Sequence, residues 1–447
     1  MKQRLRTKLN YTQIVAYSFL GIIILGTILL SMPFAVNKGV DVSLLDTLFT
    51  SASAASVTCM TVADSLSTWS VFGQIVILVL IQVGSLGIMT LITGLFTFRK
   101  RKISLRERNL LMQSAGTMRL NGVVSLIRRI VTGTFAFEAV GAVVIAAALY
   151  PQFDLWHSLY YGMFYSVSAF CNAGFDLTGC FGSFGGVLSE ADIAVINITV
   201  TFLIITGGLG YIVWEDISKN KFAFEKYSLH SKILISFNAL LIAGGGVLFF
   251  IFEYSHTLSD FTLEEKIYAS FFQSVSLRTA GFNFLDLSRL SSNGKLLSIL
   301  LMFIGGGSGS TAGGIKVTTF AVLVLSMLGG IRCRDKVSVF RRSLSDDAVR
   351  QAEVVLLVYG FMVIVSFFIM GCVESFSAGQ LLFEAVSAVS TTGMTLGITR
   401  GLSALSKIVI MILMFGGKIG GLAFMVLFME KRIAVGLNRP SEKIIIG

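Results

Sequence analysis

Long apolar runs separated by short polar segments dominate this chain. Eight runs come near the roughly 20 residues that a helix needs to cross a bilayer: 14–34, 69–98, 130–150, 193–214, 233–252, 296–331, 354–373 and 408–429. Within each successive pair lies a shorter apolar segment, at 44–57, 156–170, 267–277 and 381–390. These four are too short to span, so the pattern predicts re-entrant half-helices. The unit of helix, half-helix, loop and helix recurs four times, over 9–115, 116–225, 226–342 and 343–447. The expected architecture is an all-α integral membrane protein of four helix–pore-loop–helix repeats, arranged with pseudo-fourfold symmetry around a central ion pore.

Composition agrees with a bilayer and excludes a soluble fold. The 447 residues are 54% hydrophobic and 14% charged, with a mean hydropathy of +0.80, more apolar surface than a soluble core could hide. The net charge of +11 raises nucleic acid as a partner, but the basic residues sit in short runs between spans. Lys2 to Lys8, Arg99 to Lys102, Arg106, Arg108, Lys219 to Lys226, Arg332 to Arg342, Lys431 and Arg432 all follow an even number of spans. Asp41, Asp64, Asp154, Asp176 and Asp260 occupy the alternate loops. This asymmetry reads as topology in a cell membrane, with both termini cytoplasmic and the half-helices open to the outside. The basic start is followed by an apolar run without a cleavage site, expected to stay as the first span.

Catalytic chemistry finds little support. The five cysteines have no metal-ligand spacing and the three histidines lie far apart, so no metal, redox or nucleophilic site is expected and the chain does not read as an enzyme. A disulfide between Cys171 and Cys180 is left open. Alternating-access transporters show inverted repeats and paired midplane carboxylates. Here successive repeats keep one orientation and the loops carry no such pair, although a coupled transporter stands as an alternative.

The loops after the half-helices resemble one another. VTCMT surrounds Cys59, FCNAGFD Gly174, RTAGFN Gly281 and STTGMT Gly393, at intervals of about 110 residues. Non-helical backbone survives at membrane depth only where it lines water or binds something. Four such loops would present a ring of carbonyls able to replace the hydration shell of a monovalent cation, aided by the negative ends of four half-helices. Glycine suits the loop because it accepts φ > 0 and lets backbone approach an ion.

The second helix of each repeat carries small residues: IQVGSLGIMT from Ile81, ITGGLGYIVW from Ile205, FIGGGSGSTAGGIK from Phe303 and FGGKIGGLAF from Phe415. Such stripes are by default packing surfaces. The third is more extreme, with six glycines among the ten residues 305–314. Each lowers helix stability by about 1 kcal/mol relative to alanine, and Ser308, Ser310 and Thr311 can pair the backbone groups that a break sets free.

The fourfold pattern, the four loop motifs and GGGSGSTAGGIK together resemble the TrkH/KtrB/HKT superfamily of potassium and sodium transporters, almost end to end, and most closely its KtrB branch. The resemblance implies K+ uptake through a selectivity filter at Cys59, Gly174, Gly281 and Gly393, with Thr58, Ala173, Ala280 and Thr392 adjoining and K+ bound at the carbonyls. It implies that Gly305, Gly306, Gly307, Ser308, Gly309, Ser310, Thr311, Ala312, Gly313 and Gly314 form an intramembrane gating loop, where many members carry proline in place of Ser308. It also implies a homodimer docked on a cytoplasmic, KtrA-type nucleotide-binding ring that holds ATP or ADP, since this chain has no nucleotide motif of its own. Sodium stays open as the transported ion, because members with serine at the first loop tend toward sodium and Cys59 is of similar size.

Lys316 and Lys418 fall inside apolar runs, where a charge costs at least about 2.5–3.5 kcal/mol on insertion scales. Members of the superfamily carry a basic residue at the place of Lys418, close to the pore. Either lysine tunes conduction, or it snorkels or pairs with a carboxylate such as Glu384 or Glu138. Arg278, three residues before Gly281, is expected to brace the carbonyl end of its half-helix.

Overall fold

The computed structural model describes residues 11–87, 123–177, 190–221, 223–283, 285–332, 337–421 and 424. The basic clusters expected at 2–8, 99–108 and 431–432, and Cys180 and Cys333, lie outside these ranges.

Four groups of helices follow one another. The first holds α1 (Tyr11–Leu30), α2 (Leu44–Ser56), the single turn α3 (Ser65–Thr68) and α4 (Val71–Leu86). The second holds α5 (Val123–Leu149), α6 (Leu155–Phe170), α7 (Glu190–Gly208) and α8 (Tyr211–Asn220). The third holds α9 (Leu229–Glu253), α10 (Leu263–Ser276), α11 (Ser292–Phe303) and α12 (Val317–Ile331). A hairpin of β1 (Ser338–Val339) and β2 (Arg342–Ser343) leads to α13 (Asp346–Val373), α14 (Ala378–Val389) and α15 (Ala404–Ile419).

Eight continuous spans do not form among the described residues. Four described helices, α1, α5, α9 and α13, are long and apolar enough to cross a membrane unaided. Within the described residues, the helix of each second long run ends or breaks inside the run. Helix α4 stops at Gly87 (φ 76°) and α15 at Gly420 (φ 97°). Helices α7 and α8 meet at 96° across Leu209 and Gly210, whereas the apolar pattern reads 193–214 as one helix. The run 296–331 separates into α11 and α12 around residues 304–316.

Local sequence explains the short helices. Each opens on a residue whose side chain accepts a backbone N–H of its first turn: Ser43 for α2, Asp154 for α6, Thr262 for α10 and Ser377 for α14. Thr262 with Glu265 and Ser377 with Gln380 complete capping boxes, so orphan N–H groups at both ends of the pairing are satisfied. A cap of this kind contributes about 1 kcal/mol, which matters for helices of 12 to 16 residues.

Burial is arranged inside out relative to a soluble bundle. Tyr17, Leu20, Ile24 and Ile28 line one exposed face of α1, and Leu357, Phe361, Ile364 and Phe368 one exposed face of α13. Contiguous apolar stripes at helical spacing on the outer surface fit a lipid environment. The interior holds the short helices, whose buried residues are mostly small: α2 buries Ser51, Ala52, Ser53, Ala54, Ala55 and Ser56 in sequence. Small side chains let backbones approach closely without a hydrophobic driving force.

Candidate functional site

Each short helix runs directly into one of the four loops, and the loops share an unusual backbone. Positive φ occurs in pairs two residues apart: Val57 (59°) and Cys59 (68°), Asn172 (56°) and Gly174 (65°), Thr279 (67°) and Gly281 (77°), Thr391 (54°) and Gly393 (81°). Thr58, Ala173, Ala280 and Thr392 stand between the members of each pair and are buried. The second member is the expected filter position in every case. The first escaped the sequence reading.

The first member has a local cause. Val57 N–H donates to Ala54 O (3.1 Å) and Thr58 N–H to Ser53 O (2.9 Å), the two bonds of a Schellman closure with Val57 in the left-handed position. Asn172 and Ala173 close α6 on Ala169 and Ser168, and Thr391 and Thr392 close α14 on Ala388 and Ser387, in the same way. Left-handed backbone costs a β-branched residue roughly 1–2 kcal/mol. Around the loops, further bonds oppose that strain. Ser56 Oγ lies 2.6 Å from Thr58 Oγ1 and Ser390 Oγ 2.8 Å from Thr392 Oγ1. Ser168 donates to the Phe175 carbonyl at 2.8 Å, and Ser276 to that of Phe282.

The loops pack on one another. A Cβ on Gly174 would overlap the carbonyl oxygen of Ala280, one on Gly281 that of Thr392, and one on Gly393 that of Thr58. Carbonyls of successive loops are thus brought against the glycines of their neighbours. Cys59 alone carries a real Cβ, and it stands 3.1 Å from where a Cβ on Gly281 would be and 2.6 Å from the corresponding point on Gly393. Its side chain therefore enters the space toward which the third and fourth loops face.

The small-residue motifs serve these loops as packing surfaces. A Cβ on Gly84, Gly207 or Gly417 would strike the carbonyl oxygen of Ala55, Phe170 or Val389 respectively, each four residues before an expected filter position. Only glycine lets the second helix reach that backbone.

Residues 304–316 are stitched to three groups of helices. Gly305 N–H donates to Ile315 O (2.8 Å) and Val317 N–H to Gly306 O (3.0 Å). Gly307 N–H donates to Gly208 O (2.8 Å), and Tyr211 N–H at the start of α8 returns a bond to Gly309 O (2.9 Å). Thr311 Oγ1 lies 3.3 Å from Phe170 O and 3.2 Å from Gly207 O, and Ser310 donates to Gly307 O at 2.7 Å. A Cβ on Gly313 would collide with the Thr391 side chain, so Gly313 and Gly314 lie against the fourth loop. Gly207, Gly208, Gly210 and Tyr211 are thus contact residues that sequence reasoning missed.

Lys316 and Lys418 converge on the same short stretch. Lys418 donates to Thr311 O at 2.9 Å and Lys316 to Ala312 O. Neither pairs with Glu384 or Glu138: the ion pairs among the described residues join His157 to Asp154, Lys219 to Glu215 and Lys407 to Asp46. The unwound glycine segment leaves carbonyls without helical partners, and the two ammonium groups supply donors to them.

One further expectation, for Arg278, changes, and Cys171, whose pairing the sequence leaves open, is a free thiol. Arg278 donates to the Asn238 side-chain oxygen on α9, so it fastens its loop to the neighbouring helix rather than bracing the end of α10. Cys171 is a buried thiol outside any disulfide, with its sulfur 2.9 Å from Ser85 Oγ, 3.5 Å from Gln82 Oε1 and 3.7 Å from Glu138 Oε1. The buried Glu138 carboxylate accepts from Gln82 Nε2 at 3.2 Å.

The chain as a whole is similar to known cation transport proteins. A family model described as a cation transport protein matches residues 2–433. The Ktr system potassium uptake protein B of Bacillus subtilis is 37% identical over 437 residues, covering 97% of this chain and 96% of that protein. The potassium/sodium uptake protein NtpJ of Enterococcus hirae is 34% identical over 454 residues, covering 100% and 99%. Among solved structures, the potassium transporter TrkH from Vibrio parahaemolyticus superposes with a TM-score of 0.74 at 17% identity, over 96% of this chain and 86% of that one, a likeness of fold.

Proposed function

Because the chain belongs to the TrkH family of cation transport proteins, we propose that it conducts K+ into the cell through the four loops acting as one selectivity filter. Membership makes it a multi-pass membrane transporter and not an enzyme. The observation that carries the filter reading is the recurrence of paired left-handed residues at four equivalent places, with carbonyls of neighbouring loops against the glycines of the next. In this reading the carbonyls around Thr58, Cys59, Ala173, Gly174, Ala280, Gly281, Thr392 and Gly393 take the place of water around a K+ ion. The C-terminal ends of α2, α6, α10 and α14 add partial negative charge toward it.

Residues 305–314 act as the gate on the cytoplasmic side of the filter. Their contact with the fourth loop and their bonds to the α7–α8 break support this reading, because a plug must be held while remaining able to exchange partners. Lys418 and Lys316 hold it shut through Thr311 and Ala312 and place positive charge beside the ion path. We extend the reading to a homodimer in the cell membrane, both termini cytoplasmic, controlled by a KtrA-type ring that binds ATP or ADP; a relative named for a Ktr system fits a membrane protein that works with other components.

A second reading, sodium permeation, rests on Cys59, whose Cβ enters the space between the third and fourth loops, and on the potassium/sodium relative. Flux of K+ and Na+ into liposomes holding the purified protein separates the two. K+ in clear excess supports the first, and Na+ at parity or above supports the second. Flux that stops when a proton gradient is removed would replace both with coupled transport.

A further inference from the structure

Behind the second and fourth loops lies the same strut, built with its chemistry reversed. Tyr165 stands nine residues before Gly174 and Asp176 two after it, and the Tyr165 hydroxyl donates to the Asp176 carboxylate. Glu384 stands nine before Gly393 and Thr395 two after it, and the Thr395 hydroxyl donates to Glu384 Oε1. In the second group the short helix gives the donor and the outgoing segment the acceptor; in the fourth the roles exchange.

Glu384 is fully buried and Tyr165 almost so. Thr399 Oγ1 adds a bond of 3.0 Å to Glu384 Oε2 and lies 2.8 Å from Thr395 Oγ1, so both carboxylate oxygens are engaged. Burying a carboxylate is unfavourable without such partners, so Glu384 draws the segment after Gly393 inward. The other two loops are built differently at these positions. In the first, Thr50 Oγ1 turns back to Asp46 O at 2.8 Å. In the third, Phe272 offers no hydrogen-bonding side chain.

We propose that Glu384 with Thr395 and Thr399, and Tyr165 with Asp176, are positioning residues that fix the outgoing ends of the second and fourth loops and thereby set discrimination between K+ and Na+. The inference rests on the filter reading above. The two loops flank the third, against which both pack, so fixing them also fixes the width available to it. K+ and Na+ differ only slightly in size, and small changes in carbonyl spacing or freedom alter the preference.

The test is the K+ to Na+ flux ratio in liposomes for purified Tyr165→Phe, Thr395→Val and Thr399→Val, near-isosteric changes that each remove one hydroxyl or its bond. Tyr165→Phe and Thr395→Val are expected to lower the ratio by about threefold to tenfold, the effect of losing one buried hydrogen bond, with elution as a folded particle unchanged. Thr257→Val is the control. It breaks a buried bond of 2.7 Å to Glu253, outside the four loops and their short helices, and should leave the ratio as it was. Converting the fourth strut to the form of the second, with Glu384→Tyr and Thr395→Asp together, should recover selectivity better than Thr395→Asp alone, which sets two carboxylates together. Gly393→Ala separates the inference from its premise. If Gly393→Ala shifts the ratio while the strut variants do not, the struts are structural only and the proposal fails; if neither shifts it, the filter reading fails too.

Discussion

The ammonium of Lys418, near the end of α15, donates at 2.9 Å to the carbonyl of Thr311, a residue 107 positions earlier in a different group of helices. It reaches one of the carbonyls that the glycine segment leaves outside any helix. Breaking it removes a charged donor from a loop proposed to close the ion path.

Lys418→Met should therefore raise basal K+ flux in the absence of any regulatory partner. A hydrogen bond to a charged group contributes about 1.5–3 kcal/mol, enough to shift a closed-to-open equilibrium by about tenfold or more. Rubidium uptake by liposomes measures it directly; a flux equal to or below that of the parent protein would count against a closed state held by this lysine.

Gly393→Ala should cut conduction sharply and lower the K+ to Na+ ratio of the flux that remains, because the new Cβ would overlap the Thr58 carbonyl and lie 2.6 Å from the Cys59 Cβ. Cys59→Gly alone is expected to increase the K+ to Na+ ratio by clearing the shared space. In the double variant it should relieve only part of the Gly393→Ala defect, since the clash with Thr58 persists. A double-mutant cycle on flux, with an interaction of about 0.5 kcal/mol or more, would mark the two sites as coupled.

Gly207→Ala should act on stability before it acts on selectivity. Its Cβ would run into the Phe170 carbonyl, which is backbone at the end of α6 and cannot turn aside. Overpacking of this kind costs about 1–3 kcal/mol. A lower melting temperature in detergent is expected, and the same direction for Gly84→Ala and Gly417→Ala. Gly360→Ala, with open space around it, should change little.

Cys171 and Cys372 should differ sharply toward a maleimide. Cys372 is exposed near the end of α13, while Cys171 is buried among Ser85, Gln82 and Glu138. Mass spectrometry after brief labelling should find Cys372 modified first and Cys171 only after denaturation. Rapid labelling of Cys171 in the folded protein would contradict its placement.

What the sequence reveals here follows from which residues advertise their conformation. Gly174, Gly281 and Gly393 announce left-handed backbone, and the interval between them exposes Cys59 as the fourth member. Val57, Thr279 and Thr391 give no such signal, because β-branched residues avoid positive φ and are placed there by helix closure and by packing. The break between α7 and α8 is hidden for a related reason. Gly207 and Gly208 read as a packing stripe, and the partner that stabilises the break, the loop at 307–311, is a hundred residues away. Glu384 and Glu138, the candidate partners under the pairing alternative for Lys316 and Lys418, are not their acceptors, since a composition of glycine and serine does not tell how many of its carbonyls an unwound segment leaves unpaired.

The right-angled turn at Gly210 has a mechanical consequence. Helix α8 extends about 15 Å from it, and its first amide is hydrogen-bonded to Gly309 while the carbonyl of Gly208, just before the turn, is held by Gly307. Under the gating proposal, this makes the helix a lever whose fulcrum is pinned to the very segment it would move. A force applied at its Asn220 end acts on Gly307 and Gly309 with a long arm, so a small energetic input far from the ion path becomes a torque on the loop.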